Sequence, residues 1–312
     1  MTYFTENVYI GAMKRTVALF MALFAILSPR TPASAQDYVT TARDKALAER
    51  LLIDLHGKYR AGDPSGNPLG VPDLMVLAAK ELIGTPYVAG TLDEDPAAEK
   101  LRIYLTKTDC IIFVETCLNL ARAVVGAGDD PPSFREFASN MARTRYRKDP
   151  PYSYSDRVHY TTEWIRRQDG WLKDLTEELG GEVYDHPISF MSRHPESYRQ
   201  LEDARDIPRA ALDLMAIGET ERELNKTPMT RIPKSKLSSA VKGIKSGDII
   251  CLVSTVEGLD VAHVVIAYVE DGRAGFIHAS QKDGKVEVDP LTIEEYVTRR
   301  SNLSGIKVIR PL

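Results

Sequence analysis

The sequence predicts an α+β fold in which a helical lobe packs on an antiparallel β-sheet or open barrel. Three observations lead there. Apolar residues recur at helical spacing from about Thr41 to about Val125. A charge-rich stretch of mixed helix and loop follows. From Lys242 the texture changes to short β-rich runs separated by glycine-containing turns. Helices first and strands last is the order of an α+β domain, not of alternating βα units.

At the N-terminus Lys14 and Arg15 precede TVALFMALFAIL, and Ala33, Ser34 and Ala35 close the segment. That order, basic then apolar then small, is the order of a secretory signal peptide over residues 1–35. Met13 directly precedes the basic pair and offers an alternative start. The apolar run, about a dozen residues, is shorter than the roughly 20 needed to span a membrane. The mature chain is expected from about Gln36, periplasmic or secreted, with no later membrane span.

Ala42, Ala46, Leu47, Leu51 and Leu55 mark a first helix from about Thr41 to Leu55. A Gly/Pro-rich loop leads to a second, from about Asp73 to Ile83. GTPYVAGTLDEDP then interrupts regular structure. A third helix is expected from near Asp109 to about Val125, with Cys110, Phe113, Val114, Cys117, Ala121 and Val124 on one face. RKDPPYSYSDR reads as loop, TTEWIRRQDGWLKDLTEEL as helix, and residues 185–235 as mixed helix and loop. DIICLVS, AHVVIAYVE, GRAGFIHAS, KVEVD and GIKVIRPL are the strands. Residues 36–312 are therefore expected to form one domain: a helical lobe of about 40–150, an intervening part of about 151–235 and a β lobe of about 240–312.

The 40 Lys and Arg against 44 Asp and Glu give a net charge of -4, with no basic stripe of the kind a nucleic-acid partner needs. Three cysteines make no disulfide framework, so at least one thiol is free. No close pair of His and Cys has metal-ligand spacing, and no cofactor motif is present.

The chemistry centres on TDCIIFVETC, residues 108–117. A cysteine in the first turn of a helix, behind Asp109 or Thr108 as N-cap, sits by unpaired N–H groups and the positive end of the dipole. Both favour the thiolate, so Cys110 is the candidate nucleophile, whereas Cys117 and Cys251 read as small buried hydrophobes. A thiol nucleophile needs a base and the base an orienting partner. His263 opens one strand and His278 lies near the end of the next, the two joined by EDGRAG as a hairpin. Adjacent strand ends can bring both imidazoles to one edge of the sheet, with His278 orienting His263. His159 and Tyr160, with Arg157, follow a proline-rich loop placed to overhang such a cleft.

GTPYVAGTLD, TDCIIFVE, IKSGDIICL, AHVVIAYVE and FIHAS, in that order and spacing, resemble the NlpC-type cell-wall cysteine peptidases. The closer similarity is to the AmiA-like N-acetylmuramoyl-L-alanine amidases. These share the Phe-Val-Glu after the cysteine, a large insert with stretches like SDRVHYTTEW and ISFMSRHPESY, and a similar HAS ending. The resemblance covers roughly residues 40–312. It implies a papain-like fold with a helical insert, Cys110 as nucleophile, His263 as general base and His278 as its partner. It also places Tyr87 near the cysteine, able to help hold the oxyanion or substrate, with Asp109 beside it. Arg157, His159 and Tyr160 would hold sugar or a peptide carboxylate. The chain departs from the endopeptidases at Ile111 and Ile112, where those have serine and glycine gripping a free amine.

The resemblance thus implies a peptidoglycan amide hydrolase acting on peptidoglycan or muropeptides, expected to cut between N-acetylmuramic acid and L-alanine. The alternatives are a D-glutamate–diamino acid endopeptidase on the same fold and a catalytically silent muropeptide binder.

Overall fold

The computed structural model describes residues 38–94, 99–151, 153–202 and 207–312, all within the unit from Asp37 to Leu312. The signal-peptide reading of residues 1–35 lies outside the described residues.

Four helices form one layer: α1 (Ala42–Ala61), α2 (Val71–Glu81), α3 (Cys110–Ala127) and α4 (Phe134–Arg145). Thr41 caps α1, which runs six residues past the expected end, to Gly62 at φ 75°. Asp109 caps α3 by accepting the Ile112 N–H. The fourth helix was not expected, although Ser133 and Glu136 form a capping box at its start. By length and apolarity alone α3 could cross a membrane, contrary to the expectation that no such segment follows the N-terminus. Here its sides are covered instead: Phe113, Val114, Cys117, Leu118 and Ala121 are all within 1% of complete burial.

The second layer is an antiparallel sheet. Its central strands are β6 (Ile249–Ser254), β7 (Val261–Glu270), β8 (Arg273–Ser280), β9 (Lys285–Val288) and β10 (Leu303–Pro311). A separate short parallel pair joins β1 (Tyr38–Val39) and β2 (Leu101–Arg102). The main sheet also recruits β3 (Leu172–Asp174), β4 (Glu182–Tyr184) and β5 (Met229–Pro233), in the order β4-β5-β10-β6-β7-β8-β9 with β3 on β10. This corrects the reading of residues 151–235 as a helical insert. Of the helix expected over TTEWIRRQDGWLKDLTEEL, only α5 (Thr161–Arg166) forms. Gly170, at φ 79°, turns the chain, and Leu172 then pairs with Pro311. The rest of the insert's helix is α6 (Phe190–Arg193) and α7 (Pro208–Leu224).

Alternate residues of the strands serve two cores. Ile249, Cys251, Val264, Ile266 and Ile277 pack with the four helices. Ile250, Leu252, Val265, Ala267 and Phe276 pack beneath α8 (Leu237–Ala240) and α9 (Ile293–Thr298). Burial on both faces accounts for unbroken apolar runs such as VVIA, which would alternate in a half-exposed sheet. Layer joins layer at Gly247, at φ 86°, where a Cβ would lie 2.4 Å from the Pro72 carbonyl oxygen. Beside it, buried Asp248 makes paired 2.8 Å contacts with Arg310.

Candidate active site

β7 and β8 are joined at Asp271 and Gly272, both at positive φ (49° and 74°), the two-residue turn that EDGRAG suggests. Pairing runs from Glu270–Arg273 to Ile266–Ile277. One step further, His278 falls level with Val265, two residues from His263 on the same face. Opposite, β6 pairs Leu252 with His263 but Val253 with Val261. Ala262 is therefore the extra residue of a β-bulge, a device that bends a strand and re-aims its side chains. His263 Nε2 lies 2.8 Å from His278 Nδ1. With Nε2 occupied, Nδ1 of His263 is the nitrogen left for a reacting group.

His278 has a further neighbour. Its Nε2 is 3.4 Å from Asp289 Oδ2, inside ion-pair range but without an aligned hydrogen bond. The other Asp289 oxygen accepts the Leu291 N–H at 2.8 Å. Sequence reasoning missed Asp289. Its one cue is its place after β9, since nothing local ties it to a histidine eleven residues earlier.

Cys110 and His263 line one cavity of about 290 Å³, with Cys110 partly exposed. Burial, then the charge of Asp109, pushes the Cys110 thiol up to about 12, partly offset by backbone N–H groups of Val264, Ile111 and Cys110. This corrects the expectation that the helix start leaves a thiolate: loss of hydration outweighs the dipole. Burial likewise lowers His263 to about 3, helped by His278 and Arg300. For His278 burial wins over the attraction of Asp289, giving about 4. The resting pair is neutral thiol and neutral imidazole. Asp109 itself is raised to about 6, chiefly by burial.

Backbone pairing of Tyr87 with Thr108 sets the tyrosine beside Cys110. Burial, then Cys110 and Asp109, raises its hydroxyl to about 12, and that hydroxyl donates to no described residue. Tyr87 is not on the wall of the cavity that Cys110 lines. Ile111 does line that cavity, whereas Ile112 turns into the core at 1% exposure.

Arg157, His159 and Tyr160 also line it, but with their polar groups engaged. Arg157 pairs with Glu99 at 2.8 Å and Asp93 at 2.7 Å, and these carboxylates hold its pKa high despite burial. Tyr160 donates to Glu221 at 2.6 Å, and the His159 ring bonds the Tyr154 carbonyl at 2.9 Å. Burial keeps His159 neutral. With those polar groups engaged within the protein, these three present ring and stem surface to the cavity, alongside Tyr154, Trp164 and Tyr198. Glu115, from the FVE motif, fastens this wall. It pairs with buried Arg145 of α4 at 2.8 Å and accepts the Trp164 indole N–H of α5 at 3.2 Å. Among the described residues no three His, Cys, Asp or Glu side chains form a metal-binding group.

A family model described as AmiA-like, N-acetylmuramoyl-L-alanine amidase-like, matches residues 77–306. The chain belongs to that family. The match takes in Tyr87, Cys110, His263 and His278, and the family is the amidase branch that the motifs resemble. A solved N-acetylmuramoyl-L-alanine amidase from Bacteroides uniformis is 30% identical with a TM-score of 0.68, covering 76% of this chain and 98% of its own. A Bacteroides fragilis structure, named provisionally as a xylanase, is 33% identical with a TM-score of 0.66, covering 75% and 99%. Protein LPG0564 of Legionella pneumophila shares the fold at 20% identity and a TM-score of 0.61, covering 88% and 97%. No curated protein sequence matches the chain.

Proposed function

We propose that this chain is an exported peptidoglycan amide hydrolase, with a papain-like Cys–His centre of the NlpC type. It cuts the bond between N-acetylmuramic acid and L-alanine. One observation carries the reading: Cys110, at a helix start, and His263, whose Nε2 is held by His278, line the same cavity. As Cys110 Sγ attacks the lactyl carbonyl, His263 Nδ1 takes its proton. The tetrahedral oxyanion is met by the Cys110 N–H, a first-turn donor with no partner inside the helix. His263 returns the proton to the leaving nitrogen, the peptide departs, and a thioester remains. Water, deprotonated by His263, then hydrolyses it.

Two features support the amidase over the endopeptidase. Ile111 at the cavity wall offers no partner for a free ammonium, which is costly to bury unpaired. The aromatic insert wall suits a sugar ring. A xylanase would instead need two carboxylates flanking a glycosidic bond.

The test is mass spectrometry of products from a defined disaccharide muropeptide. Free disaccharide and intact stem peptide are expected, with no turnover by Cys110→Ala. Release of L-Ala-D-Glu would establish the endopeptidase. Binding without turnover by the wild-type protein would establish the silent binder.

A further inference from the structure

A second cavity, of about 450 Å³, opens beyond His263, between the end of β8, the Asp289–Leu291 segment and α9. Ala262 and His263 line both cavities, so the imidazole is the partition between them.

The charged groups on the new wall are not equivalent. Asp289 is committed to the Leu291 N–H and to His278. Asp283 accepts the Ser280 hydroxyl at 3.0 Å and hydrogen-bonds with Glu287. Of the cations, Lys282 is drawn to Asp283, whereas Arg300 is only partly committed. Arg300 lies over the Tyr296 ring, 3.2 Å from its centroid, and donates one hydrogen bond to the Tyr296 carbonyl at 3.1 Å. No carboxylate of the described residues forms an ion pair with Arg300. A guanidinium carries five N–H donors, so most of those on Arg300 remain for a ligand. Gln281 and Asn302 add neutral amides to the wall. Carboxylates satisfied and a guanidinium largely unsatisfied describe a cavity that takes an anion, and a planar guanidinium suits a carboxylate.

The side of the reaction follows from proton transfer. An imidazole that protonates the leaving nitrogen must face it, so that nitrogen sits at His263, the residue at which the two cavities meet, and the group attached to it has the second cavity open to it. We propose that this second cavity is the leaving-group subsite, in which Arg300 pairs with a free carboxylate of the departing peptide, one residue beyond the alanine. The assignment rests on the amide-hydrolase reading above.

The experiment compares two disaccharide muropeptides carrying L-Ala-γ-D-Glu-diamino acid stems, one with the glutamate α-carboxylate free and one with it amidated. Wild-type kcat/KM is expected to be about tenfold higher for the free acid, and in Arg300→Gln the ratio should fall to about one, since a charge-assisted hydrogen bond is lost. In parallel, calorimetry on Cys110→Ala measures the two released stem peptides. The free acid should bind about tenfold more tightly, and the added change Arg300→Gln should erase the difference. Cleavage to sugar and peptide without either preference overturns the subsite and leaves the hydrolase standing. A binding preference lost with Arg300, in a protein that cuts neither muropeptide, supports the subsite and sinks the hydrolase. A preference that survives Arg300→Gln also overturns the proposal.

Discussion

At Cys110 two influences oppose each other: the unpaired N–H groups of the α3 start favour the thiolate, while burial and the Asp109 carboxylate disfavour it. Burial wins, with the thiol near 12 and His263 near 3, so the proton stays on sulfur until attack begins. The kcat/KM profile should therefore stay level from pH 8 to about 5, its acid limb well below the 6.5 of an ordinary histidine. An acid limb centred on 6.5 contradicts this reading. Asp109→Asn keeps the N-cap but removes the charge. It should lower the thiol pKa and speed alkylation at pH 8 several-fold, as iodoacetamide rates would show. Asp289→Asn should reduce kcat about tenfold with little change in KM, the scale of losing an orienting partner. The two histidines also tie stability to pH. Each is depressed from 6.5, so the unfolded chain binds protons that the folded one refuses. Stability is complete above about 6.5 and declines from there to about 4 for His278 and about 3 for His263, by at most about 1.4 kcal/mol per pH unit for each. Urea midpoints across that window check the sign.

Among the elements, Glu115 joins the nucleophile helix to α4 and to the α5 wall. Glu115→Ala leaves Arg145 buried without its partner, and a loss of about 3–5 kcal/mol is expected from denaturation curves. Gly247→Ala should also destabilise, because the new methyl meets the Pro72 carbonyl in a left-handed backbone. What could be read from sequence follows from element length and periodicity. β6, β7, β8, β10 and α3 carry long, clear patterns and lie where expected, and the four-residue β9 lies within KVEVD. β3 to β5 are three to five residues long, too short to show a period; β3 and β5 form by pairing with β10, and β4 by pairing with β5. α4 and α9 carry readable capping boxes, Ser133–Glu136 and Thr292–Glu295, that pattern reading passed over. Cys110 and His278 could be placed by local context. The engagement of Arg157 by Glu99 and Asp93 could not, since those residues are 58 and 64 positions away.

For the whole molecule, the Lys14–Arg15 segment and the Ala33–Ser34–Ala35 end predict that the chain from its native host begins near Gln36. N-terminal sequencing checks it, and an intact Met1 or Met13 would contradict it. The order of parts along the chain has a consequence in time. The Cys110 helix and the aromatic wall are made early, and the proposed base, its partner and the second cavity come last, on β7, β8 and α9. Under the proposed mechanism, the thiol has no proton acceptor until the final strands have paired. A truncated product ending after β6 should hold a cysteine of ordinary reactivity and leave peptidoglycan intact. The proposed activity would thus be latent through synthesis and switched on by the last segment to fold.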